Sequence, residues 1–184
     1  DILAKSDKQM SDIGAIAVAN GPGSYTGLRI GVAAVKAMCF GLGIKCCGVS
    51  TLSALAFSNM AFVGNICSIM KARGELVYTC SYKSDSFTVK PICEEKLISR
   101  DELSKFLALD QEDTLLCGDG ATDFFNNYRS PLFTLAPPQS RLQNATGVCL
   151  AGASASLIDP ELLEVSYLQK VKAEKDLEYR SKTN

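Results

Sequence analysis

The sequence predicts an α/β fold in which parallel strands are covered by helices on the sheet faces. Three observations carry this. The apolar run "AIAVAN" (Ala15–Asn20) ends in a glycine-proline turn with a helix-type segment behind it, and "IKCCGV" (Ile44–Val49) repeats the pattern with a second helix-type segment. Hydrophobic residues make up 47% of the 184 and charged residues 21%, the balance of a globular chain with one good core or two small ones.

Taken in order, "DILAKS" at the start reads as the end of a helix. The run Ala15–Asn20 is a buried strand. A helix follows from about Ser24 to Phe40, with Gly41 and Gly43 supplying its stop. After the second strand, Ser50 can cap a helix through about Phe62. The character changes near residue 64. "NICSIMKA", "ELVYTCSYK" and "SFTVKPI" are strand-like runs separated by "RG" and "SDS", which reads as an antiparallel meander. Ser99-Arg100-Asp101-Glu102 forms a capping box that opens a helix through about Leu109. "TLLC" (Thr114–Cys117) is a strand ending in Gly118-Asp119-Gly120; a helix from about Asp123, a strand near Leu132–Leu135 and a last helix from about Leu142 to Ile158 complete the count. Two units are expected, residues 1–64 and 65–184, the second ending in a charged tail.

Composition narrows the chemistry. Net charge is −1, so no global basic field exists to hold nucleic acid. No stretch approaches the roughly 20 apolar residues of a membrane helix. The 184 residues contain no histidine, which removes Ser-His-Asp and Cys-His catalysis and every histidine metal site from what they can build. The eight cysteines form no CxxC and, apart from Cys39, Cys46 and Cys47, lie more than ten residues apart. That scatter fits reduced core thiols in a cytoplasmic protein better than a zinc module or disulfide scaffold.

The stretch "NGPGSYTGLRIGVAAVKAMCFGLG" supports two readings. Gly21 and Gly23 permit backbone angles closed to other residues, Pro22 stiffens the turn, and Ser24 caps the helix. Free amides at the helix start make Gly21, Gly23 and Ser24 a candidate anion site, although the spacing is neither GxxxxGK[ST] nor GxGxxG. The helix itself points to close packing. Gly27, Gly31 and Ala34 share one stripe and Ala33, Ala37 and Gly41 another, while Leu28, Val32 and Val35 form an apolar ridge with Arg29 and Lys36 at its edge. A glycine inside a helix costs about 1 kcal/mol relative to alanine, so each needs a packing reason.

"GPGSYTGLRIG" followed by "GVSTLSALA" resembles the TsaB (YeaZ) family, with further matches in order at "KARGELVY" (Lys71–Tyr78), "CGDGA" (Cys117–Ala121) and "SYLQKVKAE" (Ser166–Glu174). The resemblance implies an actin-like ASKHA (ribonuclease H-like) fold of two related subdomains, the first incomplete here because the family begins with strands ahead of "DILAKS". It implies no cofactor, no catalytic or metal site, and a partner: TsaD (Gcp or YgjD), which transfers threonylcarbamoyl to the adenosine beside the anticodon of tRNA, with the ATPase TsaE joining the complex. The partner surface it implies is the helix after the turn, with Leu28, Val32 and Val35 as apolar contacts and Tyr25, Arg29 and Lys36 around them. That arrangement predicts a homodimer in isolation and only indirect contact with tRNA. It also predicts that Val32→Glu abolishes pairing and leaves the fold intact. An older description of the family as a metallopeptidase conflicts with the missing histidines. Two positions depart from the family pattern: Lys71 stands where aspartate is usual and Gln169 where arginine is usual. The alternative is an actin-like ATP-dependent phosphotransferase or nucleotide-binding module.

Overall fold

The computed structural model describes residues 2–168; Gln169 and the tail that follows lie outside the described residues. In chain order the elements are α1 (Ile2–Lys5), β1 (Ala15–Gly21), α2 (Tyr25–Leu42), β2 (Lys45–Ser50), α3 (Thr51–Phe57), β3 (Val63–Lys71), β4 (Leu76–Asp85), β5 (Val89–Pro91), β6 (Lys96–Ser99), α4 (Arg100–Leu109), β7 (Thr114–Cys117), α5 (Ala121–Asn127), β8 (Phe133–Leu135), α6 (Pro138–Arg141) and α7 (Ala145–Ala153).

They form two sheets. β1 and β2 pair in parallel, Ala15 opposite Lys45 through Ala19 opposite Val49. The second sheet runs β5-β4-β3-β7-β8, with β3 and β4 antiparallel and β3, β7 and β8 parallel; β6 pairs the other half of β4. Side chains alternate across each strand. On the first sheet, Ile16, Val18 and Cys46 face Val32, Val35 and Cys39 of α2. Ala17, Cys47 and Val49 face Ala54 of α3 and Ala151 of α7. On the second, Ile66, Cys80, Leu115 and Cys117 face Leu52 and Leu55 of α3, whereas Cys67, Ile69, Val77 and Leu116 face Leu103, Leu107 and Phe124 of α4 and α5. Helix α3 therefore lies between the two sheets, with Leu52, Leu55 and Ala56 all fully buried.

Local chemistry sets the helix ends. Ser99 Oγ accepts the Glu102 N–H at 3.2 Å while Glu102 accepts the Ser99 N–H at 2.9 Å, the reciprocal box the sequence predicts. Helix α3 stops at Phe57, not near Phe62, because Asn59 turns its amide onto the Leu55 and Ser140 carbonyls and competes with the helical ladder. Helix α7 is shorter than the predicted Leu142–Ile158. Asn144 caps it by accepting the Gly147 N–H at 2.9 Å, and at the other end Ile158 bridges Cys46 in extended form. Strand β6 has no counterpart in the sequence prediction.

Residues 145–165, placed by the predicted division in the second unit, pack on the first sheet. Helix α7 meets α3 and β1, and the extended segment after Ile158 crosses α2.

Candidate functional site

Strand β1 delivers the glycine-proline turn to the start of α2. Ser24 caps the helix by accepting the Gly27 N–H at 3.3 Å, as its position predicts. Gly21 sits at φ 139° with the chain's own C-terminal strap against it: a Cβ there would lie 2.1 Å from the Ser166 carbonyl oxygen. The Ser166 N–H donates to the Asn20 carbonyl at 2.8 Å, and the Asn20 amide donates to the Glu164 carbonyl at 3.0 Å. Of the candidate anion site, Gly21 is thus buried under a carbonyl oxygen, which repels negative charge, while Gly23 and Ser24 remain exposed.

The strap also claims the residues predicted to meet a partner. Val32 and Val35, each 6% exposed, pack with Cys39, Cys46 and Leu163 in the core. Lys36 Nζ donates to the carbonyls of Glu161 at 3.1 Å and Leu163 at 3.0 Å. Arg29 Nε donates to the Tyr167 hydroxyl at 3.0 Å and its guanidinium lies 4.0 Å from the Tyr25 ring centroid, while Tyr25 stacks on Tyr167 with centroids 5.3 Å apart. Leu28 is half-buried beside Gly23. The structure brings Tyr25, Arg29, Val32, Val35 and Lys36 together, but around residues 161–167 of the same chain. Val32 and Val35 thus lie in the chain's own core, where the expectation placed them on a partner surface. Helical periodicity shows that α2 has more than one apolar stripe; it does not say which stripe the chain keeps for itself.

The outward stripe is different. Ile30 is 65% exposed, Met38 42% and Phe40 56%, with Gly27, Ala33, Ala34, Ala37 and Gly41 exposed between and beside them. Gly31, from the first predicted stripe, faces inward: its Cβ would lie 3.9 Å from Val18.

Lys71, the departure from the family pattern, has a structural partner. Its Nζ lies 2.6 Å from Asp123 with both side chains half exposed, and its N–H donates to Asp119 at 2.9 Å. The bond and charge of Lys71 hold the Asp123 carboxyl below its usual range. Asp119 therefore ties the Gly118–Gly120 turn to the end of β3. Gly118 is required there because a Cβ would lie 2.1 Å from the Ile69 carbonyl oxygen.

One constellation has no counterpart in the sequence prediction. Ser50, the cap of α3, accepts the N–H groups of Leu52 and Ser53 and donates to Glu95. Desolvation raises the Glu95 pKa, and the Ser50 bond opposes this only in part. Because an acid with a raised folded-state pKa keeps its proton longer when folded, stability is greatest below the ordinary glutamate range. It is lost as pH rises through the folded pKa. Replacing Glu95 with glutamine should flatten this slope and leave the variant more stable than the parent at pH 7, measured by urea denaturation from pH 4 to pH 8. Glu94 and Glu95 are adjacent carboxylates in the chain; the approach of Ser50 from another element distinguishes them.

Two layered sheets sharing a buried helix, with a glycine-proline turn feeding a second helix on the outer face, define an ASKHA-type α/β protein. The family model described as TsaD: tRNA N6-adenosine threonylcarbamoyltransferase matches residues 1–138. The chain is 43% identical over 82 residues to the tRNA threonylcarbamoyladenosine biosynthesis protein TsaB of Bacillus subtilis, covering 45% of this chain and 36% of that protein. It is 36% identical over 87 residues to TsaB of Escherichia coli, covering 46% and 38%. The Haemophilus influenzae TsaB matches at 28% over 180 residues, covering 92% and 70%. The matches to the first two relatives thus span under two fifths of their length. A crystal structure from Pseudomonas aeruginosa, described by its similarity to peptidase YeaZ, superposes with a TM-score of 0.77 over 92% of this chain and 80% of that one at 22% identity. The chain belongs to the TsaD-type transferase family, and the relatives it matches within it are TsaB (YeaZ) proteins.

Proposed function

We propose that this protein is a non-catalytic scaffold subunit of tRNA threonylcarbamoyladenosine synthesis. In this reading it binds and activates a TsaD-type transferase, which places threonylcarbamoyl on the adenosine beside the anticodon, with a TsaE-type ATPase completing the complex. The observation that carries the reading is the outward stripe of α2. A face of Ile30, Ala33, Ala37 and Phe40 is too apolar to be left in water without reason, and its small residues allow a partner helix to approach closely. The TsaB names of the curated relatives supply the pathway. A histidine-free chain suits a subunit that leaves the chemistry to its partner. Without that partner, the same face seeks a second copy of itself and forms a homodimer. Contact with tRNA is then indirect, in keeping with the net charge of −1. Among the described residues no helix is long and apolar enough to cross a membrane, and we place the protein in the cytoplasm.

The test is threonylcarbamoyl transfer to tRNA by the TsaD homologue and TsaE homologue of the same source, with and without this protein. Transfer that needs both chains, together with their co-elution in size-exclusion chromatography, supports the scaffold role. Equal transfer without this protein, and separate elution, overturns it.

A further inference from the structure

Strand β4 is paired along one edge by two short strands in succession. Tyr82–Ser84 pair with β5 and Leu76–Thr79 with β6. Residues 92–95 bridge the gap between those strands opposite Cys80 and Ser81. This places Cys93 against β4: the Ser81 N–H donates to Cys93 Sγ at 3.3 Å, the Cys80 thiol donates to the Cys93 carbonyl at 3.2 Å, and the two sulfurs lie 4.0 Å apart. Cys93 is half-buried and Cys80 buried, and both residues lie along a cleft of about 200 Å³ also lined by Ser81, Glu94, Lys96 and Phe106. That volume admits several water-sized molecules.

Packing explains the buried Cys80, which sits in the layer of Leu52 and Leu55, but not the half-buried Cys93. Cysteines 39, 46, 47, 67 and 117 are buried in the core, as a small apolar side chain should be. Cys149 is exposed. Cys93 combines an opening to solvent with contact to the sulfur of the buried Cys80.

We propose that Cys80 and Cys93 are a reversible oxidation site at which hydrogen peroxide, or a peroxide of similar size, converts two thiols into a disulfide. The half-buried Cys93 reacts first, because it is the member that is open to the cleft. Its sulfur attacks one peroxide oxygen and the O–O bond breaks. The released hydroxide takes the thiol proton and leaves as water, so that Cys93 becomes a sulfenic acid. The Cys80 sulfur then attacks the Cys93 sulfur, the S–O bond breaks, and the hydroxide departs with the Cys80 proton as a second water. Two thiols are oxidised and one peroxide is reduced to two waters. Burial pushes the Cys80 thiol pKa up, so Cys80 stays protonated and is not the thiol that meets peroxide first. Forming the bond requires the sulfurs to close from 4.0 Å to about 2 Å, within reach of a side-chain rotation. Disulfides in reducing compartments are typically transient and sensing, which is the behaviour expected of this pair.

The experiment treats the purified full chain with a few equivalents of hydrogen peroxide, blocks free thiols with iodoacetamide under denaturing conditions, and maps peptides with and without reductant. The expected result is that two of the eight cysteines escape alkylation and that one cross-linked peptide pair joins Cys80 to Cys93. Dithiothreitol should restore eight reactive thiols. Cys149→Ser should form the same bridge to the same extent. In Cys80→Ser the sulfenic acid on Cys93 should persist and be captured by dimedone. Absence of the Cys80–Cys93 peptide from oxidised parent protein, or oxidation confined to Cys149, overturns the proposal.

Discussion

Val32→Glu is expected to destabilise the fold strongly, and Ala37→Glu to leave its stability unchanged but the protein unable to pair. Val32 is 6% exposed and packs with Val35, Cys39, Cys46 and Leu163 under the strap. A glutamate there carries its charge into an apolar layer, and Lys36, one turn on, is already held by the Glu161 and Leu163 carbonyls. An uncompensated buried charge of this kind costs about 4 kcal/mol or more, which for a chain of this size lowers Tm by about 10 °C. Ala37 is on the outward face, where the added carboxylate stays in water and Tm should move by less than about 2 °C, in line with the small effect of most surface substitutions. Its effect falls on association, since a charge in the middle of the Ile30–Phe40 stripe must be desolvated when a partner helix covers it. Thermal unfolding and size-exclusion chromatography with the TsaD homologue, run on both variants, separate the two outcomes. A Val32→Glu variant with the parent's Tm that fails to pair would restore the buried ridge as the partner surface. An Ala37→Glu that pairs normally would remove the outward stripe from the proposal.

Gly147→Ala should be strongly destabilising although it replaces glycine by the best helix former in a helix. In an open helical position the change stabilises by up to about 1 kcal/mol. At Gly147 the new Cβ would lie 2.1 Å from the Ala54 carbonyl oxygen and 2.1 Å from Ser58 Oγ. The serine hydroxyl can rotate away, but the backbone carbonyl cannot. Helix α7 has to lift from α3, which loosens Ala151 from Cys47 and Val49 and disturbs the helix that both sheets share. Overpacking of this sort costs about 3 kcal/mol. Gly41→Ala is the matched control. It lies in α2 with nothing within 4 Å of the new Cβ, and urea denaturation should show it slightly more stable than the parent. Equal effects at the two positions would mean that α7 and α3 do not pack as closely as Gly147 requires.

Much of the fold was legible in the chain. The βαβ rhythm of residues 15–57, the antiparallel run after residue 64, the Ser24 and Ser50 caps and the Ser99–Glu102 box all depend on interactions within a few residues, and all appear where sequence places them. Element lengths were less legible where a distant group intervened. Asn59 ends α3 early by reaching Ser140, and Cys46 draws Ile158 out of the predicted last helix.

The α2 site divides along the same line. Capping and periodicity are local properties of neighbouring residues, and they suffice to make α2 a capped helix with several small and apolar stripes behind a glycine-proline turn. Which stripe is buried depends on contacts made across the fold. Residues 161–167 come back from more than 120 positions along the chain to engage Lys36, Arg29 and Tyr25 and to cover Val32 and Val35. Gly21 acquires its reason from the same return, in the carbonyl oxygen of Ser166. Periodicity assigns residues to faces of a helix, but the neighbour on each face is chosen by long-range packing, and that choice leaves the Ile30–Phe40 stripe facing water.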